Sequence, residues 1–152
     1  MDLIASENLT LKEFYITNTT LLSIYPETNR KPRLDRLKIN CDFDIFTAQN
    51  DADNPLNFMI TFNVKCNEEE KPGYFFDIGA VGEFILSKTQ EINDKTKNQY
   101  ILYTALPMII NSIRVYIQQI TSMHAFGTYL LPVLDLGKLL KQKEIEEDSI
   151  NN

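Results

Sequence analysis

Asp42, Asp44, Asp77 and Glu83 are the side chains best placed by type and spacing to do chemistry. If the strands carrying them lay side by side, two could act as a general acid and a general base. Nothing in the sequence builds a cleft around them, and acids at alternating positions read more simply as a solvated sheet face. His124 is the single histidine, and by itself it cannot supply a triad, a histidine acid–base pair or a metal site; it reads as a packed or helix-terminal side chain. Cys41 and Cys66 lack CxxC spacing and have no histidine nearby, so they read as two buried thiols in a reducing compartment. No GxGxxG, P-loop lysine, GxSxG or HExxH pattern occurs. Gly79-Ala80-Val81-Gly82 lies inside a strand pattern, where glycine marks a bulge or close packing. These residues argue against an enzyme, and neither a cofactor nor a metal is expected.

The elements that position them fall into two unlike halves. Residues 11–87 read as strands with period-two burial. Leu37, Ile39, Cys41, Phe43 and Ile45 alternate with Lys38, Asn40, Asp42 and Asp44. Leu56, Phe58, Ile60, Phe62, Val64 and Cys66 repeat the pattern, and Phe76, Ile78 and Phe84 do so against Asp77 and Glu83. Turns fall at residues 49–55 and 67–73, and residues 14–22 form a weaker first strand. One apolar and one polar face argue an antiparallel sheet open to water on one side.

A polar connector over residues 90–97 precedes a change of period. Leu102, Leu106, Ile109, Ile113, Tyr116, Ile117 and Ile120 follow helical spacing from Asn98 onward. Between Asn98 and Leu134 only Arg114 and His124 can carry charge, too few for a helix with one wet face. A membrane span is disfavoured, because Pro107, Asn111, Ser112, Arg114, Gln118 and Gln119 interrupt every apolar run short of the roughly 20 residues required. The expected alternative is a helix buried on two faces, against its own sheet and a partner chain, starting or kinking at Pro107. An apolar loop over residues 126–134 leads to a last helix capped by Asp135, and the acidic stretch after it is expected to fray.

The 152 residues carry a net charge of −6 and are 43% hydrophobic, which fits one globular domain with its own core. The acidic balance argues against nucleic-acid binding. The N-terminus shows no basic, apolar leader pattern, so a cytoplasmic location is expected. Phe43, Phe46, Phe58, Met59, Phe126, Tyr129, Leu130 and Leu131 supply more apolar surface than one small core needs, as in an oligomer or a groove for apolar chains.

Two stretches carry a family resemblance. One is the helix with Pro107 upstream of Arg114, followed by Phe126, the Leu130-Leu131-Pro132-Val133 segment and a short final helix. The other is Phe75-Phe76-Asp77-Ile78-Gly79-Ala80-Val81-Gly82-Glu83-Phe84. Together they resemble the SecB protein-export chaperones, with matching element order over residues 11–142. The resemblance implies an α+β fold, a four-stranded antiparallel sheet with one long and one short C-terminal helix on one face. It implies one domain over residues 1–143, with residues 144–152 a flexible acidic tail. It implies an ATP-independent holdase, a homotetrameric dimer of dimers, that binds non-native polypeptides without nucleic acid or stable membrane insertion. Clients would be preproteins passed to SecA, or an antitoxin guarded by a toxin–antitoxin member of the family. An adaptor for one folded partner stays open beside it. By the resemblance, client contacts fall on Phe43, Phe46, Phe126, Tyr129, Leu131 and Val133. Oligomer contacts fall on Ile109, Ile113, Tyr116, Ile117 and Ile120, and SecA would meet Phe75 and Asp77. Two departures weigh against SecA: Thr19-Thr20-Leu21-Leu22-Ser23 stands where exporting members carry acids, and the chain after Lys143 lacks their basic tail.

Overall fold

A computed structural model describes residues 8–48, 56–87 and 93–150, with side chains to residue 146. Strands β1 (Leu9–Ile24), β2 (Ile39–Thr47), β3 (Leu56–Cys66) and β4 (Gly73–Leu86) form one antiparallel sheet in the order β1-β4-β3-β2. The period-two reading holds. All six even-numbered apolar positions of β3 are buried, and the odd ones between them are more exposed. The first strand is longer than its sequence pattern suggests, because register shifts at Leu11/Glu13 and Ile16/Asn18 break its alternation. The expected turn over residues 49–55 lies outside the described residues. The turn after Cys66 is set by Asn67 and Glu70 in the left-handed region (φ 62° and 54°), with Asn67 clasping both backbone groups of Lys71.

Register stacks the inner face in rows, among them Thr47–Phe58–Phe84–Leu11, Ile45–Ile60–Gly82–Phe14 and Phe43–Phe62–Ala80–Ile16. Phe58 and Phe84 stack with ring centroids 5.2 Å apart. Gly82 is the gap in its row. A Cβ there would meet Ile109 Cδ1, so the missing side chain is what lets the helix lie on β4.

Helix starts earlier than its apolar stripe indicates. Asn93 caps α1 (Asp94–Tyr100), accepting the Thr96 N–H at 2.8 Å. A π turn over Ile101–Ala105 joins α1 to α2 (Leu106–Thr121). Leu106 donates to Ile101 O, five residues back. Pro107 explains it: with no N–H and a ring that crowds the carbonyl four residues back, it breaks the regular ladder. The regular helix therefore restarts there, as expected. The 28 residues Asp94–Thr121 are long and apolar enough to cross a bilayer by composition. Their apolar stripe is already used, since Leu106, Ile109, Ile113 and Ile117 are fully buried in the core shared with the sheet.

Asp135 caps α3 (Leu136–Ile150), its carboxylate accepting the Lys138 N–H at 3.1 Å. The helix continues to Ile150, so the acidic stretch from Glu144 that reads as a fraying tail is helical up to that point. While α2 lies on the inner face, α3 runs along the β2 edge, where Lys143 bonds Asp42 and Asp44.

Candidate functional site

The open surface of interest surrounds the segment that joins α2 to α3. Thr121 at the end of α2 is fully buried, and its hydroxyl accepts the Tyr129 N–H at 2.9 Å. The Tyr74 hydroxyl accepts the Phe126 N–H at 2.9 Å and donates to Gly127 O at 2.8 Å. These bonds pin residues 126–129 against the sheet. Tyr74→Phe leaves that N–H and carbonyl without their partner, and should cost about 1–2 kcal/mol in urea unfolding.

Beyond the pin the chain is extended, and burial alternates. Tyr129 and Leu131 point inward, while Leu130 is 64% and Val133 82% exposed. Tyr129 packs edge-on to Phe76 at 5.5 Å, and its hydroxyl oxygen accepts a hydrogen bond from the Cys66 thiol, S···O 3.9 Å. Burial pushes the Cys66 thiol up to about 11, and the Tyr129 phenol is driven up by burial and then by Cys66.

Two grooves flank this segment. One, of ≈ 350 Å³, lies between Leu34 and Leu37 on one side and Tyr129, Leu130 and Pro132 on the other. The second, of ≈ 550 Å³, separates the β2 edge at Ile39 and Cys41 from Leu134, Leu139 and Ile145. Its β2 wall presents backbone groups that β3 does not take up. Ala48 N–H bonds Asn57 O and Asn67 N–H bonds Lys38 O, which fixes the even-numbered residues as those bonded to β3. Odd-numbered residues from Ile39 to Thr47 therefore turn their N–H and C=O groups to the sheet edge. Such an edge accepts an extended chain by strand addition.

Several expected site residues land elsewhere. Phe43 and Leu131 are buried within the chain, at 5% and 2% exposure, because their phase points them at the core, whereas Tyr129, 4% exposed, still reaches the wall of the smaller groove. Phe126 is half-buried, wedged between Tyr25 and Tyr74 at 5.5 and 5.3 Å. Phe46 is exposed but sits on the outer sheet face opposite Met59, apart from both grooves. Ile109, Ile113 and Ile117 face the chain's own sheet, so they cannot also meet a partner. Tyr116 leans over β1 to bond Thr19 Oγ1 at 2.8 Å, and Ile120 packs partly into the core. The outward face of α1–α2 carries Tyr103, Met108 and Val115 instead. Phe75 and Asp77 do lie on the outer sheet face, where Asp77 accepts from Asn63 at 3.0 Å and lies 3.5 Å from Lys65 Nζ. Ile39, Leu139 and Ile145 line the larger groove without having been expected to. Among the described residues, no three of His, Cys, Asp and Glu gather as a metal site.

Solved structures share this arrangement. Rv1957 of Mycobacterium tuberculosis, a SecB-like chaperone solved in complex with a ChAD peptide from the Rv1956 HigA1 antitoxin, matches 84% of this chain and 91% of its own at 14% identity and a TM-score of 0.51. The fold is SecB-like. A protein of unknown function from Streptococcus agalactiae gives a TM-score of 0.51 at 12% identity, covering 85% of this chain and all of that one. No family model and no curated protein matches the sequence. This SecB-like fold therefore reaches the chain without detectable sequence kinship, and its grooves are built from the chain's own residues.

Proposed function

We propose that the protein is an ATP-independent holdase that takes extended, apolar segments of non-native polypeptide into the two grooves. The observation that carries this is the β2 edge, whose outward N–H and C=O groups adjoin a cleft of ≈ 550 Å³ where Ile39, Leu134, Leu139 and Ile145 alternate with polar side chains such as Asn40 and Gln142. Folded proteins bury their apolar side chains and pair their strands, so such a surface selects chains that have done neither. Main-chain pairing reads no sequence, and many weak contacts along one client add up. The carboxylates fit this non-catalytic reading: Asp42 and Asp44 are bonded to Lys143, and Asp77 to Asn63 and Lys65.

The antitoxin-guarding reading is favoured over delivery to SecA. A structure of the same fold holds an antitoxin peptide. The acid-poor strand Thr19-Thr20-Leu21-Leu22-Ser23 and the acidic end of α3 also depart from exporting members. The outward surface with Tyr103, Met108 and Val115 is the one we assign to self-association into a tetramer.

The test dilutes a reduced, unfolded client into buffer with and without the protein, no nucleotide added, while multi-angle scattering reads its mass. Suppressed aggregation by a species near four times 17.6 kDa is the expected result. An inert protein that lets the client aggregate unchanged overturns the holdase.

A further inference from the structure

Asp42 and Asp44, the acids that looked most like chemistry, have a mechanical task at the groove. Lys143 Nζ on α3 sits 2.9 Å from Oδ1 of each. The lysine side chain is 19% exposed, and its ammonium lies 5.8 Å from the Phe43 ring centroid. Desolvation pulls that ammonium down, and the hydrogen bonds it donates to Asp44 and Asp42 outweigh that, holding the group above its ordinary value. Asp42 Oδ1 also accepts the Phe43 N–H at 2.8 Å, one of the donors facing the free edge. A single carboxylate thus plugs an edge donor and anchors the helix that roofs the groove. The rest of that helix is held lightly: Leu136, Leu139 and Leu140 are only partly buried, and no described α3 side chain is fully buried.

We propose that the Lys143 bridge to Asp42 and Asp44 is a latch that holds α3 over the β2 edge and must open before an extended segment can pair there. This rests on the holdase reading and adds the residues that regulate entry. The latch is electrostatic, so salt and removal of the cation should both open it.

Cys41 is a built-in reporter. It lines the groove and is half-buried, and burial pushes its thiol up to about 12, so it reacts slowly while the roof is closed. Cys66, fully buried in the core, reports on unfolding. The experiment labels the reduced full-length protein with N-ethylmaleimide and locates the adduct by peptide mass spectrometry. In low salt, Lys143→Ala should label Cys41 about tenfold faster than the unaltered protein, with Cys66 still slow. Lys143→Arg should stay near the unaltered rate, and raising salt should move the unaltered protein toward the Ala variant. Unchanged Cys41 labelling in both the variant and high salt, with Cys66 slow, overturns the latch. If Lys143→Ala speeds Cys66 as well, the salt series on the unaltered protein decides by the same criterion. Binding of reduced, carboxymethylated lactalbumin, measured on the same samples, separates the two ideas. Faster Cys41 labelling with unchanged client affinity supports the latch and counts against the groove as the client site.

Discussion

Gly82→Val should lower the unfolding free energy by about 3 kcal/mol, read from the urea midpoint at constant slope. Two effects favour valine: a β-branched residue suits a strand, and losing glycine narrows the unfolded ensemble, together about 1 kcal/mol. They lose to sterics. A Cβ at residue 82 falls where Ile109 Cδ1 packs, 2.9 Å from Phe84 Cε2, in a layer where Ile60 and Ile109 are fully buried. The helix must lift or Ile109 must leave its place. Ile109→Ala alone opens a cavity and should cost about 2–4 kcal/mol. If the clash is the cause, the double variant loses less than the sum of the singles, by about 1 kcal/mol or more. Additive losses would refute the packing account.

The second large effect is on function. Leu130→Asp, Val133→Asp and Ile145→Asp together should weaken capture of an unfolded client about 100-fold, at about 1 kcal/mol for each exposed apolar side chain that a client would cover. Each is at least 64% exposed, so the fold should survive with an unchanged urea midpoint. Phe46→Asp is the informative contrast. Phe46 lies on the outer sheet face with Met59, away from both grooves, and its loss should change affinity less than about twofold. Equal losses in both variants would mean that clients wrap the outer face as well.

The strands were legible because antiparallel pairing writes a period of two into the sequence, and Phe58, Ile60, Phe62 and Val64 follow it without interruption. The helical stripe was equally plain, but a stripe gives a face and not its occupant. Ile109, Ile113 and Ile117 met the chain's own sheet, and the surface left over, with Met108 and Val115, has no repeat to announce it. The apolar run from Tyr129 to Leu134 hides its phase, since every residue but Pro132 is large and hydrophobic. Only the hydrogen bonds from Tyr74 and Thr121 decide which of them turn inward. The Lys143 bridge spans about a hundred residues of sequence, so no local pattern could have joined its members.

The order β1-β4-β3-β2 also sets a timetable for synthesis. Strands β3 and β4 can each pair with the strand made just before them as they leave the ribosome. The first-made strand has no partner until β4 follows, about 60 residues later. At typical elongation rates of about 5–20 residues per second, β1 waits several seconds, sixteen residues long and unpaired. During that interval the nascent chain shows the unpaired edge that the proposed holdase would take up, which makes an already completed copy a candidate attendant for it.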